Sequence, residues 1–136
     1  MVLTPTFTPT PSPTPAPQPD VRIVCILFDG EEPRTEADEY VEIANVGNGP
    51  QELSGWKLID VTQGTPQFVF PSYALQPGAV IRVYTNQVNA EWGGFSFGHG
   101  AAIWNNVYYN TAALYDEAGQ FVSSKSYNPT QPPGCE

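Results

Sequence analysis

The chain is 136 residues long, one domain's worth of polypeptide, with fourteen Asp plus Glu against five Lys plus Arg and a formal charge of −9. That balance excludes an unaided nucleic-acid binder or a docker onto anionic lipid, since neutralising phosphates takes clustered cations and Arg22, Arg34, Lys57, Arg82 and Lys125 are scattered. The longest apolar run, Ile23 to Phe28, is far too short to cross a bilayer, so no membrane insertion is expected.

Residues 1–19 carry seven prolines and five threonines. Proline fixes φ and removes an amide donor, so this stretch reads as an extended, polyproline-like linker. The same composition suits an O-glycosylated stalk that holds a domain off a surface, and it points to an extracellular or cell-surface setting. No basic start, apolar middle and small-residue cleavage site mark a secretory signal. Met1 is therefore expected to be an artificial start on a piece of a longer chain. A folded domain is expected over 20–128, long enough to bury one core without metal or a dense disulfide framework, with 129–136 as a tail.

Val21–Phe28 is the first predicted strand, apolar at nearly every position except Arg22. An acidic loop, Asp29–Asp38, follows, broken by Gly30 and Pro33. Glu39–Val46 alternates, with Val41 and Ile43 on one side and Glu42 on the other, as in a sheet with one wet face. After the turn in Asn45–Gln51 come Trp56–Val61 and Gln67–Phe70. Ala79–Thr85 follows the Pro77-Gly78 turn, with Ile81 and Val83 inward and Arg82 outward. Asn86–Gly100 is a long Gly-rich loop with an extended piece at Phe95–Phe97. Asn110–Asp116 and Gln120–Tyr127 form a hairpin. Val122 and Tyr127 have opposite parity there, so burying both requires a bulge. Seven short strands rich in aromatic and β-branched residues, without helical periodicity, predict an all-β, immunoglobulin-like β-sandwich, with a small β-barrel as the alternative.

Candidate chemistry is sparse. His99 is the one histidine and lies in F-G-H-G, where a loop residue is expected rather than a catalytic base. No H-E-x-x-H, C-x-x-C or phosphate-cradling glycine loop is present. The carboxylates Asp29, Glu31, Glu32, Glu36 and Asp38 supply hard oxygen ligands of the kind calcium takes, though their spacing matches no calcium-loop signature, and charge runs usually form solvated faces. A glycosidase-like acid pair drawn from the same loop would need one raised pKa, which a solvated loop supplies poorly. Trp92, Phe95, Phe97, Trp104, Tyr108 and Tyr109 crowd the long loop and its exit. They read either as a platform for sugar rings or a protein partner, or as a cap on one end of the core. Cys25 and Cys135 allow one pairing: a bridge tying tail to domain, or a buried Cys25 beside a free Cys135.

Taken together, E-Y-V-E-I-A-N (39–45), L-S-G-W-K-L-I-D (53–60), F-V-F-P (68–71), L-Q-P-G-A-V-I-R-V (75–83), W-N-N (104–106) and T-A-A-L-Y-D-E-A-G (111–119) resemble the lamin tail domain. This immunoglobulin-like module of intermediate filaments also occurs in bacterial secreted proteins. The resemblance covers Val21 to Tyr127 and implies scaffold roles for the matching positions, with L-S-G-W setting a turn before a core tryptophan. No sustained heptad is present, so filament formation is not implied, and the acidic charge does not suit the chromatin binding attributed to lamin tails. The resemblance implies a non-catalytic interaction or accessory module beside another extracellular domain. The expected partner is a protein or a neighbouring domain of the parent chain, or else a glycan. No cofactor is expected unless calcium binds the acidic loop.

Overall fold

Alternating apolar residues need two faces to bury, and here two sheets supply them. The structure is a computed structural model and describes residues 3–6, 8, 13–31, 36–130 and 135. Ten strands occur among these residues: β1 (Val21–Leu27), β2 (Tyr40–Asn45), β3 (Gln51–Glu52), β4 (Lys57–Asp60), β5 (Gln67–Val69), β6 (Ala74–Leu75), β7 (Val80–Tyr84), β8 (Phe95–Ser96), β9 (Asn110–Tyr115) and β10 (Phe121–Tyr127). One sheet runs β1-β2-β7-β8, the other β10-β9-β4-β5, and β3 pairs with β6. All seven expected strands are present with trimmed ends, and the fold is an immunoglobulin-like all-β sandwich. The extended piece expected near Phe95 is β8, which joins β7 in parallel. Trp56, expected as the first residue of a strand, instead closes the turn before β4, its N–H donating to Leu53 O at 2.9 Å.

Residues facing inward from both sheets make the core: Ile23, Ile26, Val41, Ile43, Ile81 and Val83 from one, Leu58, Ala112 and Leu114 from the other. Two bulges tune it. The register of β1 against β2 shifts between Ile23 and Cys25, so that Ile26 turns inward opposite Val41 while Cys25 pairs with outward-facing Glu42. That displacement puts the Cys25 sulfur on the outer face, where it is bonded to Cys135. The second shift lies between Phe121 and Ser123 in β10. Val122 packs on the core and Tyr127 is buried in it, as their opposite parity required.

The register defines two ends. At one, β1 begins at Val21 opposite Asn45, close to the point where the N-terminal segment arrives. Asn48 and Gly49 donate their N–H groups to Gln18 O, Val46 donates to Asp20 O, and Gln18 N–H donates to Asn48 Oδ1. Buried Asn45 ties this end together, accepting from Asp20 and Gly47 N–H and donating to Gly49 and Leu75 carbonyls. The expected linker boundary at residue 19 thus falls inside a packed contact. At the other end, Leu27, Tyr40, Tyr84 and Ser96 finish the first sheet. Phe28 there stacks on Tyr127 of the second sheet with ring centroids 4.4 Å apart. The described parts of the acidic loop, residues 29–31 and 36–38, and the 86–109 segment belong to this second end.

Candidate functional site

Of the five buried polar residues among those described, four, Glu39, Asp60, Thr85 and Asn110, lie at the loop end. Buried polar groups must be paired, and their pairing builds this end. Asp60 accepts from Thr62 and Gln63 N–H through Oδ1 and from Asn110 Nδ2 through Oδ2. Glu39, fully enclosed at 0% exposure, gathers three donors from two places in the chain onto one oxygen. Its Oε1 accepts from Thr85 Oγ1 at 2.9 Å, Ile103 N–H at 2.9 Å and Trp104 N–H at 3.4 Å. Its backbone carbonyl takes the Thr85 N–H, and Ala37 O takes that of Asn86. Oε2 has no hydrogen-bond partner among the described residues. Burial pushes the Glu39 carboxyl up to about 8, helped by nearby Glu36 and opposed by the hydrogen bonds from Ile103, Thr85 and Trp104. A carboxylate flanking a strand reads from sequence as solvated charge, so this role had no signal beyond the E-Y-V-E-I-A-N pattern itself.

From Glu39 the 104–109 loop projects. Trp104 is fully buried and meets Phe97 edge-on. Asn105 folds the next turn, its Oδ1 accepting the Val107 and Tyr108 N–H groups, while its carbonyl accepts the Tyr127 hydroxyl. Burial raises the Tyr127 phenol above its ordinary range, so it stays a donor at neutral pH. Asn106 Nδ2 donates to Glu36 Oε1, joining this loop to the acidic one. Beyond these anchors Val107, Tyr108 and Tyr109 stand 69%, 71% and 62% exposed.

The six aromatics expected as a platform therefore divide. Phe95 and Trp104 are core, with Phe95 edge-on to Phe68, Phe70 and Tyr73, and Phe97 packs beside them. Neither Phe95 nor Trp104 can offer a ring face to a ligand; as part of a surface platform both are corrected to packing residues. Trp92 ends a 3-10 helix, Ala90–Trp92. It lies over the Arg82 guanidinium at 3.6 Å, with Tyr40 on the same group at 4.1 Å. Arg82 is also paired to Glu42 at 2.9 Å, so Trp92 rivets its loop to the sheet. Only Tyr108 and Tyr109 are presented outward.

Among the acidic residues, Asp29 and Glu31 are exposed and Glu36 and Asp38 half-buried. Asp38 Oδ2 accepts the Glu31 N–H. Glu32 lies outside the described residues. Among those described, no three His, Cys, Asp or Glu side chains gather as metal ligands would. His99 is half-buried and reaches Thr85 O through its backbone N–H. Cys25 and Cys135 are bridged, and Cys135 N–H also donates to Ile26 O.

Comparison with known families bears on this geometry. The model of the lamin tail domain matches residues 14–129, a span that takes in the docked residues 17–20, the whole sandwich and both loops. No curated protein sequence matches the chain.

Proposed function

From its membership of the lamin tail domain family, to which this chain belongs, we propose that it is a non-catalytic interaction module presenting Val107–Tyr109 to a protein partner. The observation that carries this reading is the exposure of that strip, 62–71% at each residue, on a loop whose base is pinned by Glu39, Trp104 and Asn105. Exposed tyrosines on a rigid base suit recognition, because large amphipathic rings bury much area and lose little conformational entropy. The strip lies at the opposite end of the sandwich from the docking site of residues 17–20. A proline-rich stalk leaving that other end would hold the tyrosines outward. The Cys25–Cys135 bridge supports an oxidising, extracellular setting, where such bonds persist.

The test compares the full chain with a Y108A/Y109A variant in quantitative capture from the extracellular fraction of the source cells. Exposed side chains away from structural features cost within about 0.5 kcal/mol of stability. The variant is therefore expected to melt like the wild type while losing at least about tenfold in affinity for a specifically retained protein. Equal retention by both proteins contradicts the reading. Retention of a glycan instead, on an array and dependent on the same tyrosines, would replace the protein partner with a carbohydrate.

A further inference from the structure

The backbone that leads to both exposed tyrosines is tied at Ile103 and Trp104 to a buried carboxyl. Glu39 Oε1 is the acceptor for the amides of Ile103 and Trp104 and for the Thr85 hydroxyl, whereas Oε2 is enclosed with no hydrogen-bond partner among the described residues. A neutral acid tolerates an unpaired buried oxygen far better than a carboxylate does. We propose that Glu39 is a proton-controlled latch: protonated, it holds the 103–109 loop and its tyrosines on the sandwich, and ionised, it lets them go.

The surroundings favour that direction. Glu36 of the preceding loop opposes a second negative charge beside it. From β10 comes the Tyr127 phenol, itself held protonated chiefly by burial, with Asp60 on β4 adding to it. The hydroxyl from the end of β7 and the two amides of the 103–104 backbone act the other way, since donors favour a carboxylate, and burial outweighs them; His99 joins Thr85 by its backbone N–H. The two ion pairs among the described residues, Arg22–Asp20 and Arg82–Glu42, lie elsewhere. Neither of their cations offsets the charge, and Arg34 lies outside the described residues. Loop opening admits water to the carboxylate, so ionisation and opening are linked. The closed state holds its proton to about 8 against an ordinary value of 4.5. The closed state is therefore most favoured at low pH and loses ground as pH rises toward about 8.

This inference rests on the reading of Val107–Tyr109 as the binding strip, but its test needs no partner. Amide hydrogen exchange of the full chain is followed at Ile103 and Trp104 as protection factors. In the wild type they are expected to fall at least about tenfold between about pH 6 and pH 8. Exchange there is expected to ignore low urea, as local opening does, unlike that of core Ile43. The E39Q variant keeps an acceptor oxygen but cannot ionise, and its protection is expected to be flat over the same range. Should E39Q not fold, a carbon-13 titration of the Glu39 carboxyl in the wild type decides. An inflection well above the ordinary carboxylate range supports the latch. A midpoint near 4 to 5, pH-independent protection in the wild type, or an equal decline in E39Q overturns it. Flat protection alongside partner loss in Y108A/Y109A would remove the latch and leave the binding strip standing.

Discussion

Glu39 shows how one side chain can be both a defect and an organiser. An acidic side chain with no ion-pair partner among the described residues is a costly thing to bury, yet three donors, from Thr85 and the 103–104 backbone, close on it. Its folded-state value lies above the unfolded one, so the folded protein binds more protons between about 4.5 and about 8. Stability contributed by that proton is complete below the window and is lost as pH rises through it. Relaxation of the loop limits the loss. In urea unfolding we expect the wild type to lose on the order of 2 kcal/mol relative to E39Q between about pH 5 and pH 8. Parallel pH profiles for the two proteins would refute that assignment. Trp104 is the complementary case. It sits four residues from Tyr108 and looks the same in sequence, but its buried ring is what gives the exposed tyrosines a base.

At the scale of elements, the strands were legible and the joins between them were not. Val41/Ile43 and Ile81/Val83 alternate against Glu42 and Arg82, and period-two patterning is enough to place such strands and their inner face. The opposite parity of Val122 and Tyr127 announced the bulge in β10. The bulge in β1 had no such mark, since Ile23, Val24, Cys25 and Ile26 are all apolar and either register satisfies the pattern. The loop aromatics were ambiguous for a related reason. Trp, Phe and Tyr serve a core cap and a binding surface equally well, and only burial separates Phe95 from Tyr109. The docking of residues 17–20 was hidden because the segment contributes only backbone groups to it, received by the Asn45 and Asn48 side chains and by the amides of 46, 48 and 49, and no side-chain pattern in the segment reports that. Gly47 and Gly49 permit it by close approach: a Cβ on Gly47 would stand 2.3 Å from Gln18 O and 2.5 Å from Asp20 N. Both contacts are backbone and cannot swing aside. Gly47→Ala is expected to cost about 1–3 kcal/mol as an overpacking change. It should also expose the 14–19 segment to limited proteolysis, and unchanged stability and cleavage would contradict the contact.

Across the whole molecule, the two ends of the sandwich do different things. One receives the N-terminal segment through Asn45, Asn48 and Gly49, and the other carries the acidic loop and the tyrosine strip. The bridge between Cys25 and Cys135 spans 110 residues of sequence, closing nearly the entire fold into one loop. Chain-entropy arguments put removal of such a crosslink at roughly 4–5 kcal/mol. The C25S/C135S double variant is therefore expected to lose most of that in urea unfolding, and equal midpoints with and without the bridge would argue that the tail adds nothing. A competing surface exists on the outer face of the second sheet, where exposed Phe121 and Val69 flank Tyr115 and Lys57 in one cross-strand row. The two surfaces lie on different segments, so they can be told apart. Hydrogen exchange of the chain alone and bound to the protein it captures is the most direct discriminator. New protection over residues 104–109 is the result predicted here; protection instead over β4, β9 and β10, with 104–109 unchanged, would contradict it.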